Sequence, residues 1–161
     1  RWNFRFRAMH RSAHLVDGNY DADAGRWNEA RTPFNFTRNY GELQAAFEPG
    51  RSPSVIPFRL YAGVSVSIWT RPRTINAVGG MLGAEIRPSA SSGWYLAWHL
   101  TVAGIPRAAG TNSLEAGYRV GSWEGRGARM FLGFLNGPDV LGAFYDVRRS
   151  YATAGLSFDL W

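Results

Sequence analysis

Ser150-Tyr-Ala-Thr-Ala-Gly-Leu-Ser-Phe-Asp-Leu-Trp161 alternates residue by residue. Ala152, Ala154, Leu156, Phe158 and Leu160 fall on one side; Tyr151, Thr153, Gly155, Ser157 and Asp159 fall on the other. A period of two specifies a strand with unlike faces. A strand that ends a chain usually frays, because nothing follows to hold it. This one keeps its pattern to the last residue. That suits the closing strand of a barrel, with apolar groups facing lipid and polar groups facing a lumen. The last strand of a soluble barrel or sandwich is the plainer alternative.

The same alternation recurs upstream. Arg1 to Ala13 sets Trp2, Phe4, Phe6 and Ala8, with His10 and Ser12, against Asn3, Arg5, Arg7 and Arg11. Leu15 to Pro33 is rich in Asp, Gly, Asn and Arg and reads as a long polar loop. Phe34 to Phe47 is a second strand, and Glu48 to Pro53 a turn. The cleanest stripe follows: Ile56, Phe58, Leu60, Ala62, Val64, Val66 and Ile68, opposite Arg59, Tyr61, Gly63, Ser65, Ser67 and Trp69. Thr70 to Arg73 is a short link. Val78 to Ile86, Trp94 to Val102, Leu114 to Val120 and Ala128 to Leu135 mark four more strands. Between them lie a turn at Pro88 to Gly93, a loop at Pro106 to Asn112 and a tight turn at Glu124 to Gly127. Gly137 to Arg148 is the last loop, and the terminal stretch is the eighth strand. No stretch carries a helical period.

Residues 1–161 are expected to form one domain. The chain has no Cys, so no disulfide and no thiolate metal site. All of its positive charge is Arg, scattered along the strands without a run, so the net charge of +6 does not point to nucleic acid. Aromatics make up 15% of the chain, as girdles at two membrane interfaces require. No apolar run approaches the roughly twenty residues of a spanning helix. The chain begins at Arg1 with no Met and no signal peptide, so it is expected to be processed or incomplete, and its start says nothing of targeting.

Eight strands is an even number. The connections alternate between longer loops at one end and mostly shorter turns at the other, with the Arg71-Pro72-Arg73 link as the exception. Strands of roughly ten to fourteen residues are long for a soluble domain and right for a tilted membrane crossing. The faces opposite the apolar stripes carry Gly, Ser, Thr, Tyr and Arg, not the Lys and Glu of a solvated surface. The expected fold is therefore all-β: an antiparallel transmembrane β-barrel of about eight strands, complete or the C-terminal part of a larger barrel. Its lumen would be filled by side chains if eight strands close.

One segment can carry a reaction: Met9-His-Arg-Ser-Ala-His-Leu-Val-Asp17. His10 and Ser12 are two apart on a strand and project from one face. Ser becomes a nucleophile when a base takes its proton, and a neighbouring His is the usual base. With apolar groups outward, the pair sits on the lipid side, near the strand end at headgroup depth. Its non-catalytic counterpart is an interfacial polar pair that closes the strand or touches headgroups. Asp17, Asp21, Asp23 and Glu29 suggest calcium, but their spacing fits no EF-hand and a solvated loop with Asx turns accounts for them. His99, beside Tyr95 and Thr101, fits a lumen hydrogen-bond network.

Several resemblances add to this. Gly155, Phe158, Leu160 and Trp161 resemble the C-terminal signal of bacterial outer-membrane barrels. His10 and Ser12 match the core of the His-x-Ser-Asn-Gly motif of outer-membrane phospholipase A and the His-x-Ser-Asn-Ala motif of the lipid A deacylase barrel. Ala13 and His14 depart from both, which weakens any carried-over oxyanion or calcium arrangement. In the phospholipase an Asn on the next strand orients the His. Here Asn35 and Asn39 both have outward parity on the second strand, and the long first loop leaves the register free. A nearer resemblance, through most of the chain, is to a bacterial family of unknown function predicted as outer-membrane barrels. Its segments are similar to His10 to Asp17, Asn35-Phe-Thr-Arg38, Phe144-Tyr145 and Gly155 to Asp159, with Ala13 and Val16 as departures. Members of that family are longer, which implies that earlier strands are missing here.

Three functions are therefore expected and opposed. The first is an outer-membrane barrel with a structural or partner-binding role, meeting phospholipid, lipopolysaccharide or other envelope proteins. The second is a serine-type lipid ester hydrolase using Ser12, His10 and either Asn35 or Asn39. The third is a soluble barrel holding an apolar ligand. None requires a cofactor or metal.

Overall fold

The structure is a computed structural model. It describes residues 1–13, 20–27, 35–49, 57–87, 92–103, 109–123, 125–138, 144–145 and 147–160. Eight long strands form one sheet: β1 (Trp2–Ala13), β4 (Phe36–Phe47), β5 (Phe58–Arg71), β6 (Val78–Ile86), β7 (Gly93–Ala103), β8 (Ala109–Gly121), β9 (Gly127–Pro138) and β10 (Arg148–Asp159). A small hairpin, β2 (Tyr20–Asp21) with β3 (Arg26–Trp27), lies within the first long connection. Each strand of the large sheet pairs antiparallel with its sequence neighbour. The sheet curls into a half-barrel, with β1 and β10 as its two edges. The terminal strand pairs with β9 and forms one edge of the sheet.

The packing is inside out relative to a water-soluble domain. On the outer face Phe4 is 73% exposed and Leu132 69%; on the concave face Glu42 and Gln44 are 5% exposed. Leu60, Val64 and Leu96, which would fill the core of a soluble barrel, are all exposed. Charged side chains cannot be buried cheaply unless paired, and the concave face pairs most of them across the ladder. Arg7 Nε donates to Glu42 at 2.9 Å, Arg59 to Glu85 at 3.1 Å and Arg119 to Asp159 at 2.5 Å. Tyr95 O–H donates to Glu115 at 2.6 Å. His99 sits in the expected network, 2.9 Å from the Tyr61 hydroxyl and 2.8 Å from Thr101 Oγ1. The apolar cluster among the described residues is small: Phe36, Ile75 and Tyr145, with Ala13 against it, at the Ala13 end of the strands.

Curvature needs room on the concave face. There Tyr61 lies over Gly83 and Tyr95 over Gly117, so a side chain at either glycine would collide with an aromatic ring and a backbone carbonyl. Covering a strand glycine with a cross-strand aromatic is a known way to hold a curved sheet. Gly117→Leu is expected to destabilise the folded chain by about 1–3 kcal/mol through overpacking. Urea unfolding of the detergent-folded variant measures it, and an unchanged midpoint would show that the rings move aside freely.

The structure departs from the expected boundaries in several places. Ala109 to Asn112 belongs to β8 and Gly137-Pro138 to β9, where loops were expected. The first connection holds the β2–β3 hairpin, closed by an Asx turn: Asp21 accepts the N–H groups of Asp23 and Ala24. Most consequential is a bulge in the β4–β5 ladder. Tyr40 is opposite Ser67 but Asn39 is opposite Trp69, so Ile68 is the extra residue. The bulge turns Trp69 from the polar face, where alternation alone puts it, to the outer face beside Asn39.

Candidate functional site

The β1–β4 ladder decides which asparagine meets His10. His10 is directly opposite Asn39, and Ser12 is opposite Thr37. Directly opposed residues share a face. His10 Nδ1–H donates to Asn39 Oδ1 at 2.5 Å. Asn35 precedes β4, beyond the last paired residue, Phe36, which faces Ala13; it does not reach His10. The long first loop hid this choice, because a loop of that length does not constrain the register.

His10 and Ser12 are both exposed on the outer face, close to the Ala13 end of β1. The Asn39 bond fixes the ring: with the proton on Nδ1, Nε2 carries the free lone pair. A base needs that tautomer. Among the described residues no hydrogen bond joins Ser12 to His10. Hydrogen bonds of this kind are often long in a resting site and tighten when substrate binds. Trp69 forms the next position in the His10–Asn39 row, and Arg71 the next in the Ser12–Thr37 row. Sequence alternation missed Trp69. The signal that it carried is the adjacent pair Ile68-Trp69, two large apolar residues where alternation expects one.

The remaining motif residues divide. His14 and Asp17 lie outside the described residues, as do Glu29 and Trp161. The Asp21 carboxylate is engaged by its own turn. Among the described residues no group of three metal-ligating side chains gathers. Asn39→Ala removes the acceptor that holds the His10 tautomer. A reaction that uses this base is expected to slow about tenfold, the worth of one net hydrogen bond. The steady-state rate on a lipid ester would show it, and an unchanged rate would mean that Asn39 does not orient a base.

No protein-family model matches the chain, and neither a curated protein nor a solved structure matches it.

Proposed function

We propose that this half-barrel belongs to an outer-membrane protein that hydrolyses ester bonds of membrane lipids. The observation that carries it is the His10–Asn39 hydrogen bond, with Ser12 two residues along on the same exposed face. Ser12 Oγ attacks the ester carbonyl and its proton passes to His10 Nε2. Asn39 holds the imidazolium through Nδ1–H. The alcohol leaves with that proton, and water then releases the fatty acid from Ser12 by the same base. The inside-out face pattern supports a bilayer as the medium: the strands place apolar side chains outward and paired charges inward. Trp69 beside the site suits the interfacial aromatic belt. In hydrocarbon the free edges of β1 and β10 also need strand partners, since an unpaired edge does not persist there.

The lack of a Ser12–His10 bond among the described residues favours a second reading. Here the pair only closes the strand end, and the protein is a structural or partner-binding barrel of the same membrane. Fatty-acid release separates the two. The protein folded into vesicles is incubated with phospholipid and with lipopolysaccharide, and free fatty acid is followed. Release from either supports the hydrolase. No release from any lipid tested sinks it and leaves the structural barrel.

A further inference from the structure

Arg11 and Arg38 stand directly opposite each other on the concave face of the β1–β4 ladder. Like charges so placed repel. The other such pair, Arg119 opposite Arg129, is compensated: Arg119 donates to Asp159 and Arg129 lies 3.4 Å from Glu115. Arg7 has Glu42, and Arg59 and Arg87 share Glu48 and Glu85. Neither Arg11 nor Arg38 has a carboxylate partner among the described residues. Arg38 is only 9% exposed, so its charge is largely cut off from water. Its Nε donates to Ser67 Oγ, its second terminal nitrogen donates to Ser65 Oγ at 3.1 Å, and it lies 4.5 Å over the Tyr40 ring. These neutral partners aim the guanidinium, and the carboxylate whose field reaches it, Glu42, is already held by Arg7. Arg11 is exposed and stacks 5.8 Å over Phe36. Arg11 and Tyr40 line a polar concave cavity of about 410 Å³ with Glu42 and Glu85, whose carboxylates other arginines hold; Arg38 is not part of that lining.

A buried cation without a counter-ion is costly, and two side by side more so. We infer that the Arg11–Arg38 pair binds an oxyanion of the phosphate-monoester class. A carboxylate would balance one of the two charges. A phosphate monoester carries close to two and offers three oxygens to the Arg11 fork and to the terminal nitrogen of Arg38 that the serines leave free. Arg38, held by two serines, is the fixed half of the site, and Arg11 is the half that closes on the ligand. The site is on the reverse side of the strands that carry His10, Ser12 and Asn39 and does not depend on their being catalytic.

The test uses the whole chain folded in detergent, with ionic strength held constant by chloride. One arm titrates inorganic phosphate; the other adds a short-chain phosphatidate to the micelles. Binding is read by calorimetry and by the shift in unfolding temperature. A saturable response is expected in at least one arm, and the responding arm tells free phosphate from a lipid headgroup. Arg11→Gln should weaken it at least about tenfold, as loss of a charged hydrogen bond does. Arg5→Gln removes the same charge from the same strand and should leave it within about twofold. Arg38→Gln is avoided as the deciding variant because its buried serine bonds make it a folding risk. No saturable response in either arm, or one that Arg11→Gln leaves intact, overturns the site.

Discussion

Ser12→Ala is expected to lower fatty-acid release by at least about 10³-fold while leaving the strand content and unfolding midpoint of the protein unchanged. The large loss follows from the chemistry: without the Ser12 hydroxyl no acyl-enzyme forms at this site. The unchanged fold follows from the structure, since Ser12 is exposed and makes no hydrogen bond among the described residues. His10→Ala should cost about as much, and the double variant little more, because nucleophile and base act as one unit. Additive losses would argue against that unit. So would full activity in Ser12→Ala, which would assign any release to another group or to a contaminant. Circular dichroism and denaturant unfolding of each variant guard against mistaking a misfolded barrel for a dead one.

The parts of this fold that were legible in the sequence share a physical cause. Each long strand has two unlike environments, so its side chains report their facing every second residue. That is why the eight long strands and the outward set Phe4, Leu60, Val64, Leu96 and Leu156 could be read directly. What failed to show was set by relations between strands. Asn35 and Asn39 have equal parity, and only the β1–β4 register separates them. Trp69 was misassigned because a bulge adds a residue without altering the sequence on either side of it. Arg11 opposite Arg38 is invisible for the same reason, since their pairing spans the long first connection. Alternation also cannot measure how far a sheet curls. It matches a half-barrel with free edges as well as a closed barrel. The His-x-Ser spacing was local and therefore legible; its orienting partner was not.

Which medium the outer face meets is decided by a charge placed in its middle. Leu132→Arg is expected to destabilise the protein in phospholipid vesicles by about 2–4 kcal/mol, the cost of an arginine at the bilayer midplane. Leu132 is 69% exposed and sits mid-strand in β9, between Ala116 on β8 and Ala154 on β10. Its neighbours are small and offer the guanidinium neither a carboxylate nor cover. Val120→Arg carries the same charge on the same face at the Trp2 end of β8, next to the Gly121–Gly127 pair that ends the β8–β9 ladder. In a bilayer the side chain there would reach headgroups and water, and the cost should fall to about 0–1 kcal/mol. Reversible unfolding of both variants in vesicles gives the two numbers. A steep drop from centre to end is the signature of a hydrocarbon slab, because water has no depth. If instead both arginines are neutral, and the wild-type chain stays folded and monodisperse without detergent, then the outer face meets water. The lipid-ester reaction at Ser12 would then lose its substrate.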